Sequence, residues 1–247
     1  ADESDRSFLK LSPVLGVVTN LDREHMDCYA DMADVEGVFV EFMDRLPFYG
    51  ATTACIDNEL LRAVLPRVRR KVYTYGASED ADFRVEMIDK EDGCHSRFEV
   101  NYKWLVMGPF RLHVPGKHNG LNATAAVAVG VQLGVAQEQI ALGLDSFRGV
   151  DRRFQVKGVA GGVTVVDDYG HHPAEMAATI AAARGAFPDR RLVLVFQPHR
   201  YSRTRDLFED FVKVLSTPDI LLLTEVYPAG ETPIVAADSK SLARALR

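Results

Sequence analysis

Two short runs concentrate the reactive side chains of this sequence: Asp167-Asp168-Tyr169-Gly170-His171-His172-Pro173, and then Gln197-Pro198-His199-Arg200, extended by Arg203 and Arg205. Carboxylates and imidazoles can exchange protons, a phenol can donate a hydrogen bond, and guanidiniums hold anions through a planar, permanently charged fork. Each run follows an apolar stretch, Val163–Val166 and Leu192–Phe196, and each precedes a segment of helical character, Ala174–Ala186 and Tyr201–Leu215. The spacing predicts polar clusters at the carboxyl ends of two successive strands, the second a buried one, where open α/β sheets bind their ligands. Capped turns bearing surface charge are the plainer explanation, but ordinary caps rarely gather His, Arg and Asp at this density.

Further groups point to anionic ligands. Asp151-Arg152-Arg153-Phe154 sets two guanidiniums side by side just after Gly149-Val150-Asp151, a stretch that reads as a linker or hinge. Lys117-His118-Asn119-Gly120-Leu121-Asn122 leads into a helix, with Asn119 of the type that caps one. Such a helix start suits an anion or a purine edge as well as it suits simple capping. Asp22-Arg23-Glu24-His25-Met26-Asp27 follows a strand-like run. Its carboxylates suit Mg²⁺, whereas one His without a second His or Cys at helical spacing is poor for zinc. Glu3, with Asp2 and Asp5, is taken alone an acidic, solvated tail. No GxxxxGK[ST] sequence occurs and no GxGxxG follows a strand, so a nucleotide site built only from these residues lacks a phosphate-cradling loop.

The elements that must position these groups alternate. Val14–Thr19, Thr52–Ile56 and Lys71–Tyr75 predict strands, the first of them buried. Helices are expected over Met32–Leu46, where Val35, Val38, Phe39, Phe42, Met43 and Leu46 keep the helical period, and over Glu59–Leu65. That order implies right-handed crossovers and a largely parallel sheet. From Phe83 the pattern becomes alternation: Phe83, Val85, Met87 and Phe98, Val100, Tyr102 flank Asp92-Gly93, a hairpin signal, and Phe110–Val114 adds a strand. Helices follow from Asn119 to about Leu133 and over Ala136–Leu144. After the linker come Phe154–Lys157, a Gly161-Gly162 turn, strands over Val163–Asp167, Leu192–Phe196 and Ile220–Leu223 separated by helices, and a helix from Ser239. The expected fold class is α/β in two domains. Residues 1–150 would hold a mostly parallel sheet with a small antiparallel portion, and 151–247 a second α/β unit.

Composition narrows the function. A formal charge of −6 argues against a general nucleic-acid binder and for a small-molecule site whose basic residues are local. Cys28, Cys55 and Cys94 form no CxxC pair, which argues against a disulfide framework or a zinc site and fits a reducing cytoplasm. No apolar run has the length of a membrane span, and the N-terminus is not signal-like. The chain opens Ala1-Asp2-Glu3 without Met and stops inside an apparent helix, which reads as a piece of a longer protein.

Taken together, His118-Asn119-Gly120-Leu121-Asn122, Arg152-Arg153-Phe154-Gln155, Asp167–Pro173 and Gln197–Thr204 resemble the Mur ligases. Within that family the likeness is to the branch that adds L-alanine to UDP-N-acetylmuramate. Ala1–Asp5, Thr19-Asn20 with His25-Met26-Asp27, Leu46–Gly50 and Glu225–Glu231 share it, so it covers essentially the whole chain. A muropeptide-recycling branch has an Asp-Asp-x-x-His-His-Pro element too, but Gln-Pro-His-Arg is not expected there.

The resemblance implies a UDP-binding domain, a central ATPase domain with a P-loop, and a Rossmann-like C-terminal domain. Residues 1–150 would be the central domain after its P-loop, and 151–247 the first part of the C-terminal one. The implied reaction is ATP-dependent amide ligation in peptidoglycan precursor synthesis. The muramate lactyl carboxylate attacks the γ-phosphate, and L-alanine's amine then displaces phosphate from the acyl phosphate. The implied cofactors are ATP and Mg²⁺, the partners UDP-N-acetylmuramate and L-alanine, and the place the cytoplasm, with homodimerisation left open and neither nucleic acid nor membrane involved. Carried onto matching positions, Glu3 and His25 would hold Mg²⁺, and His118 and Asn119 the adenine. Arg153 and Asp168 would join the C-terminal domain to the nucleotide. Tyr169, His171, Arg200 and Arg203 would surround the carboxylate and the incoming amine, with His171, Arg200 and Asp168 nearest the chemistry. Closure about residues 149–151 would bring these groups onto the nucleotide. The alternatives are a muropeptide-recycling or folylpolyglutamate-type ligase and a non-catalytic nucleotide-binding remnant.

Overall fold

The computed structural model describes residues 5–23, 26, 28–89 and 95–246, and the chain divides into two compact units. The first comprises residues 5–113 and 118–147 so far as they are described, and the second 148–246 with the short stretch 114–117.

In the first unit six strands form one sheet in chain order: β1 (Leu15–Val18), β2 (Ala51–Cys55), β3 (Lys71–Gly76), β4 (Phe83–Asp89), β5 (Ser96–Tyr102) and β6 (Leu105–Leu112). β1 to β4 pair in parallel, and β4–β5–β6 is an antiparallel meander. The expected mostly parallel sheet with an antiparallel portion is therefore present. α1 (Met32–Asp44) and α2 (Glu59–Val64) make the first two crossovers. Between β3 and β4 there is no crossover helix, because the pairing covers only Tyr75↔Phe83 and Gly76↔Arg84. β4 thus continues beyond the end of β3, and a short loop replaces the dozen or more residues a full parallel return requires.

Caps fix the helices. Asp31 accepts from Asp34 N at the start of α1, and Asn58 from Leu61 N at the start of α2. The Asn58 amide also bonds both backbone groups of buried Leu21, tying the loop after β1 to α2. Every residue of β2 is buried, as a central strand requires, but β1 alternates and leaves Val17 exposed, so it is buried on one face and not throughout. An aromatic part of the core lies where parallel and antiparallel parts meet, with Tyr75, Phe83, Phe98 and Phe110 buried. Phe83 stacks on Tyr102 at 4.1 Å, and Phe98 lies 5.5 Å from Phe110. The last strand begins earlier than Phe110, at Leu105. Gly108-Pro109 falls where the register slips between Phe98 and Val100, a bulge that tolerates a residue without an N–H. α3 (Lys117–Gln132) and α4 (Gln137–Ser146) complete the unit.

In the second unit β7 (Gln155–Ala160) and β8 (Val163–Asp167) form a hairpin, and β9 (Val193–Phe196) pairs in parallel with β10 (Ile220–Leu223). β8 and β9 belong to separate ladders, so the two polar runs do not end neighbouring strands of one sheet. α5 (Pro173–Ala186) lies between them in sequence. The helix expected over 201–215 is two, α6 (Tyr201–Asp206) and α7 (Phe208–Leu215), broken at Leu207. Buried Thr204 bonds back to Arg200 O, a contact that competes with regular helix bonding and bends helices. α8 (Ser239–Ala245) follows β10. Met176, Ile180, Phe196, Phe211, Leu215 and Leu242 form this unit's main core. β9 is not buried on both faces: Val193 and Val195 are exposed, since only the opposite side packs on the helices. Among the described residues no helix is long and apolar enough to cross a membrane.

Candidate functional site

The run from Asp167 to Pro173 connects β8 to α5 and is held by hydrogen bonds local to the second unit. Asp168 Oδ2 accepts Phe154 N at 2.9 Å and Oδ1 accepts Gly170 N at 2.7 Å, while Tyr169 N donates to Arg152 O at 2.6 Å. Arg152 and Phe154 both have positive φ, 58° and 47°, so this turn is strained and Asp168 secures it. Gly170 has no side chain for a plain reason: a Cβ there would sit 2.7 Å from Asp168 Oδ1. Each Asp168 oxygen retains a further lone pair, so a ligand contact would add to these bonds.

Pro173 at the first turn of α5 and a capping box fix where that helix begins. Buried His172 is the cap, accepting Ala174 N through Nδ1, and Glu175 returns to accept His171 N and His172 N at 3.0 and 3.3 Å. The other oxygen of Glu175 accepts Arg153 Nη1 at 3.1 Å. Burial alone would push the Glu175 carboxyl up, but these donors outweigh it and hold it below its ordinary value. Arg153 is therefore fastened to the same helix start that carries His171.

The second run leaves β9. Tyr227 N donates to Pro198 O at 2.8 Å and Arg200 N to Tyr227 O at 2.9 Å, so the chain after β10 zips onto this loop. The Tyr227 ring stacks on His199 at 5.2 Å. Arg200 has φ 73°, unusual for a residue with a side chain, and α6 begins there without a side-chain cap of its own. Glu231 takes that place from a distant loop, accepting Ser202 N at 3.0 Å and the Ser202 hydroxyl. Arg203 Nη1 donates to His199 O at 3.3 Å.

The two loops meet. His171 lies 5.7 Å from His199 and 5.4 Å from Tyr169, ring to ring. Buried Nδ1 of His199 has no hydrogen-bond partner among the described residues. Burial, then Arg203, His171 and Arg200, hold this imidazole below its ordinary pKa, so it is neutral at pH 7. Within one unit the fold thus gathers Arg153, Asp168, Tyr169, His171, Arg200 and Arg203. Fixed cations beside an exposed phenol can hold a carboxylate or phosphate, with the neutral imidazole, its Nδ1 buried, next to them.

His118 and Asn119 lie in the first unit, half-buried in the first turn of α3. The helix starts at Lys117, directly after Gly116 with φ 104°, so Asn119 is its third residue and not its cap. Gly116 supplies the turn, and the helical dihedrals begin sooner than the side-chain type suggests. Glu3 and His25, the expected Mg²⁺ ligands, fall outside the described residues, as do Cys94 and the Asp92-Gly93 turn. Among the described residues no group of three His, Cys, Asp or Glu is arranged to hold a metal.

Sequence reasoning missed Glu175, His199 as a site residue in its own right, and Glu231. A signal for Glu175 was available, since it stands three residues after a residue that precedes a helix-starting proline. Nothing local marks Glu231, whose partner is 29 residues away.

Comparison with known proteins gives concordant matches. Residues 2–130 match the Mur ligase middle domain, and 152–247 the Mur ligase glutamate ligase domain. The chain is 58% identical over 246 residues to the UDP-N-acetylmuramate–L-alanine ligase of Acidobacterium capsulatum, covering 100% of this chain and 54% of that protein. It therefore spans about half the length of the curated relatives it matches. The structure of the UDP-N-acetylmuramate-alanine ligase from Thermotoga maritima superposes with a TM-score of 0.74 at 26% identity, over 99% of this chain and 51% of that one. A murein peptide ligase from Psychrobacter arcticus shares the fold, with a TM-score of 0.59 at 21% identity over 87% of this chain and 44% of that one.

Proposed function

Because the chain belongs to the Mur ligase family, we propose that it is part of an ATP-dependent ligase joining L-alanine to the lactyl carboxylate of UDP-N-acetylmuramate, in the cytoplasm. The similarity to alanine-adding ligases supports this choice within the family. The observation that carries it is the meeting of Arg200 and Arg203 with His171, neutral His199 and Tyr169.

On this reading residues 1–150 belong to the central ATPase domain, and 151–247 to the C-terminal domain. The carboxylate oxygen forms a bond to the γ-phosphorus as the bond to ADP breaks. The amine of L-alanine then attacks the acyl carbon, phosphate leaves with the bonding electrons, and the amine surrenders a proton. A carboxylate approaching a polyphosphate meets repulsion, which fixed cations must offset. Arg200 and Arg203 hold the carboxylates of muramate and alanine, and Tyr169 and His171 orient them, with neutral His199 packed beside His171. Arg153 and Asp168 reach the nucleotide, and His118 with Asn119 the adenine. Mg²⁺, assigned to Glu3 and His25, would supply further neutralisation when bound.

The test is acceptor-dependent ADP release by the full-length protein. L-alanine should drive it, and Arg200→Ala should raise the acceptor KM by about tenfold or more, the scale of one charge-assisted bond. Release driven by a tripeptide instead of L-alanine would replace this reading with the muropeptide-recycling one. Residues 1–247 alone should show no ligation, since their sequence has no P-loop.

A further inference from the structure

Arg200 sits in a backbone conformation that its own side chain does not favour, at the open end of a short helix lacking a local cap. Something beyond the 197–206 segment must keep it there. Among the contacts that the chain after β10 supplies are Tyr227 N to Pro198 O, Arg200 N to Tyr227 O, Gln197 Nε2 to Glu225 O, and Glu231 on Ser202. The first two are backbone bonds that many sequences could make. Glu231 is different, because its carboxylate takes both the backbone N–H and the hydroxyl of Ser202, within the first turn that Arg200 opens. We propose that Glu231 is a positioning residue, a cap supplied from a separate loop that fixes α6 and so aims Arg200 and Arg203 at the acceptor. This rests on the ligase reading for what the arginines hold, but not for the clamp itself.

The charge state supports the geometry. Burial opposes ionisation of Glu231, yet the bonds from Ser202 and Tyr201 and the nearby Arg200 guanidinium keep its carboxyl below the usual value. Glu231 is therefore charged at neutral pH, when a capping carboxylate is strongest. The clamp also shelters His199, which is stacked on Tyr227 with Nδ1 buried, facing Arg200, Arg203, His171 and Glu231.

Two measurements on the full-length protein separate positioning from mere proximity. Kinetically, Glu231→Ala should raise the acceptor KM about ten- to hundredfold, the range for losing a charge-assisted bond, and leave the ATP KM within about twofold. Ser202→Ala, which keeps the backbone bond and threatens the fold less, should raise it by about three- to tenfold. Unchanged acceptor KM in both variants would overturn the proposal. The second readout needs no activity: the titration of His199 followed by NMR. Removing a carboxylate without moving the loop takes away a favourable charge, so the His199 pKa would fall. Releasing the loop re-solvates the ring, so it rises. An upward shift in Glu231→Ala supports the clamp, and a downward or absent shift overturns it. Failure of the ligase reading would show separately, as no alanine-dependent ADP release in the wild-type protein, with the NMR result still deciding the clamp.

Discussion

Glu175 serves three partners at once, and its chemistry can be read through pH. It accepts two backbone N–H groups at the start of α5 and the Arg153 guanidinium, and these hold its carboxyl below the value it has in an unfolded chain. A depressed folded pKa contributes stability that is complete above the unfolded value, about 4.3. That stability is lost as pH falls through the folded value. The melting temperature should therefore drop as pH is lowered from about 5 toward 3. Glu175→Gln should be less stable at pH 7 by about 1–2 kcal/mol but show a shallower fall. Identical slopes in the two proteins would remove Glu175 from this role. Asp168 differs in kind: its two backbone bonds hold a turn containing two positive φ residues, so it orders Arg153 whether or not it also meets a nucleotide.

The hairpin of β7 and β8 tests how far a turn can be read from residue type. Gly161 and Gly162 have φ 56° and 78°, the double positive conformation of a two-residue turn that matches strand twist. Space is not the constraint, since a Cβ at Gly162 meets nothing within 4 Å. Gly162→Ala should thus cost about 1 kcal/mol through backbone strain alone, measured by urea unfolding. A stabilised variant would contradict this, because reduced unfolded-state freedom would then outweigh the strain. This turn, the crossovers of the first unit and the two polar runs were visible because each rests on local signals: glycine pairs, apolar periodicity, and ionisable groups ending an apolar stretch. The rest depends on distant partners. Thr204 is an ordinary helix residue until its hydroxyl bonds Arg200 O and α6 breaks from α7. Likewise the strand expected from Phe110 begins at Leu105, because β5 offers a bulge that receives Gly108-Pro109.

Across the molecule, the distribution of apolar surface carries its own consequence. The first unit buries β2 completely, as parallel sheets do when both faces are covered. The parallel ladder of β9 and β10 covers only one. Val195 is 64% exposed and Leu222 53%, with Val193 and Ile220 beside them on the same open face. Each strand alternates, so these residues form a stripe and not scattered contacts. Contiguous exposed apolar surface on a sheet favours association with another surface. The chain of residues 1–247 should accordingly bind a hydrophobic dye and self-associate as its concentration rises. Replacing Val195 and Leu222 together by Thr keeps strand-compatible side chains while adding a hydroxyl to each. The double variant should bind less dye and scatter less light, with melting little changed because neither side chain lies in the core. Unaltered scattering would mean that this face is not what drives association.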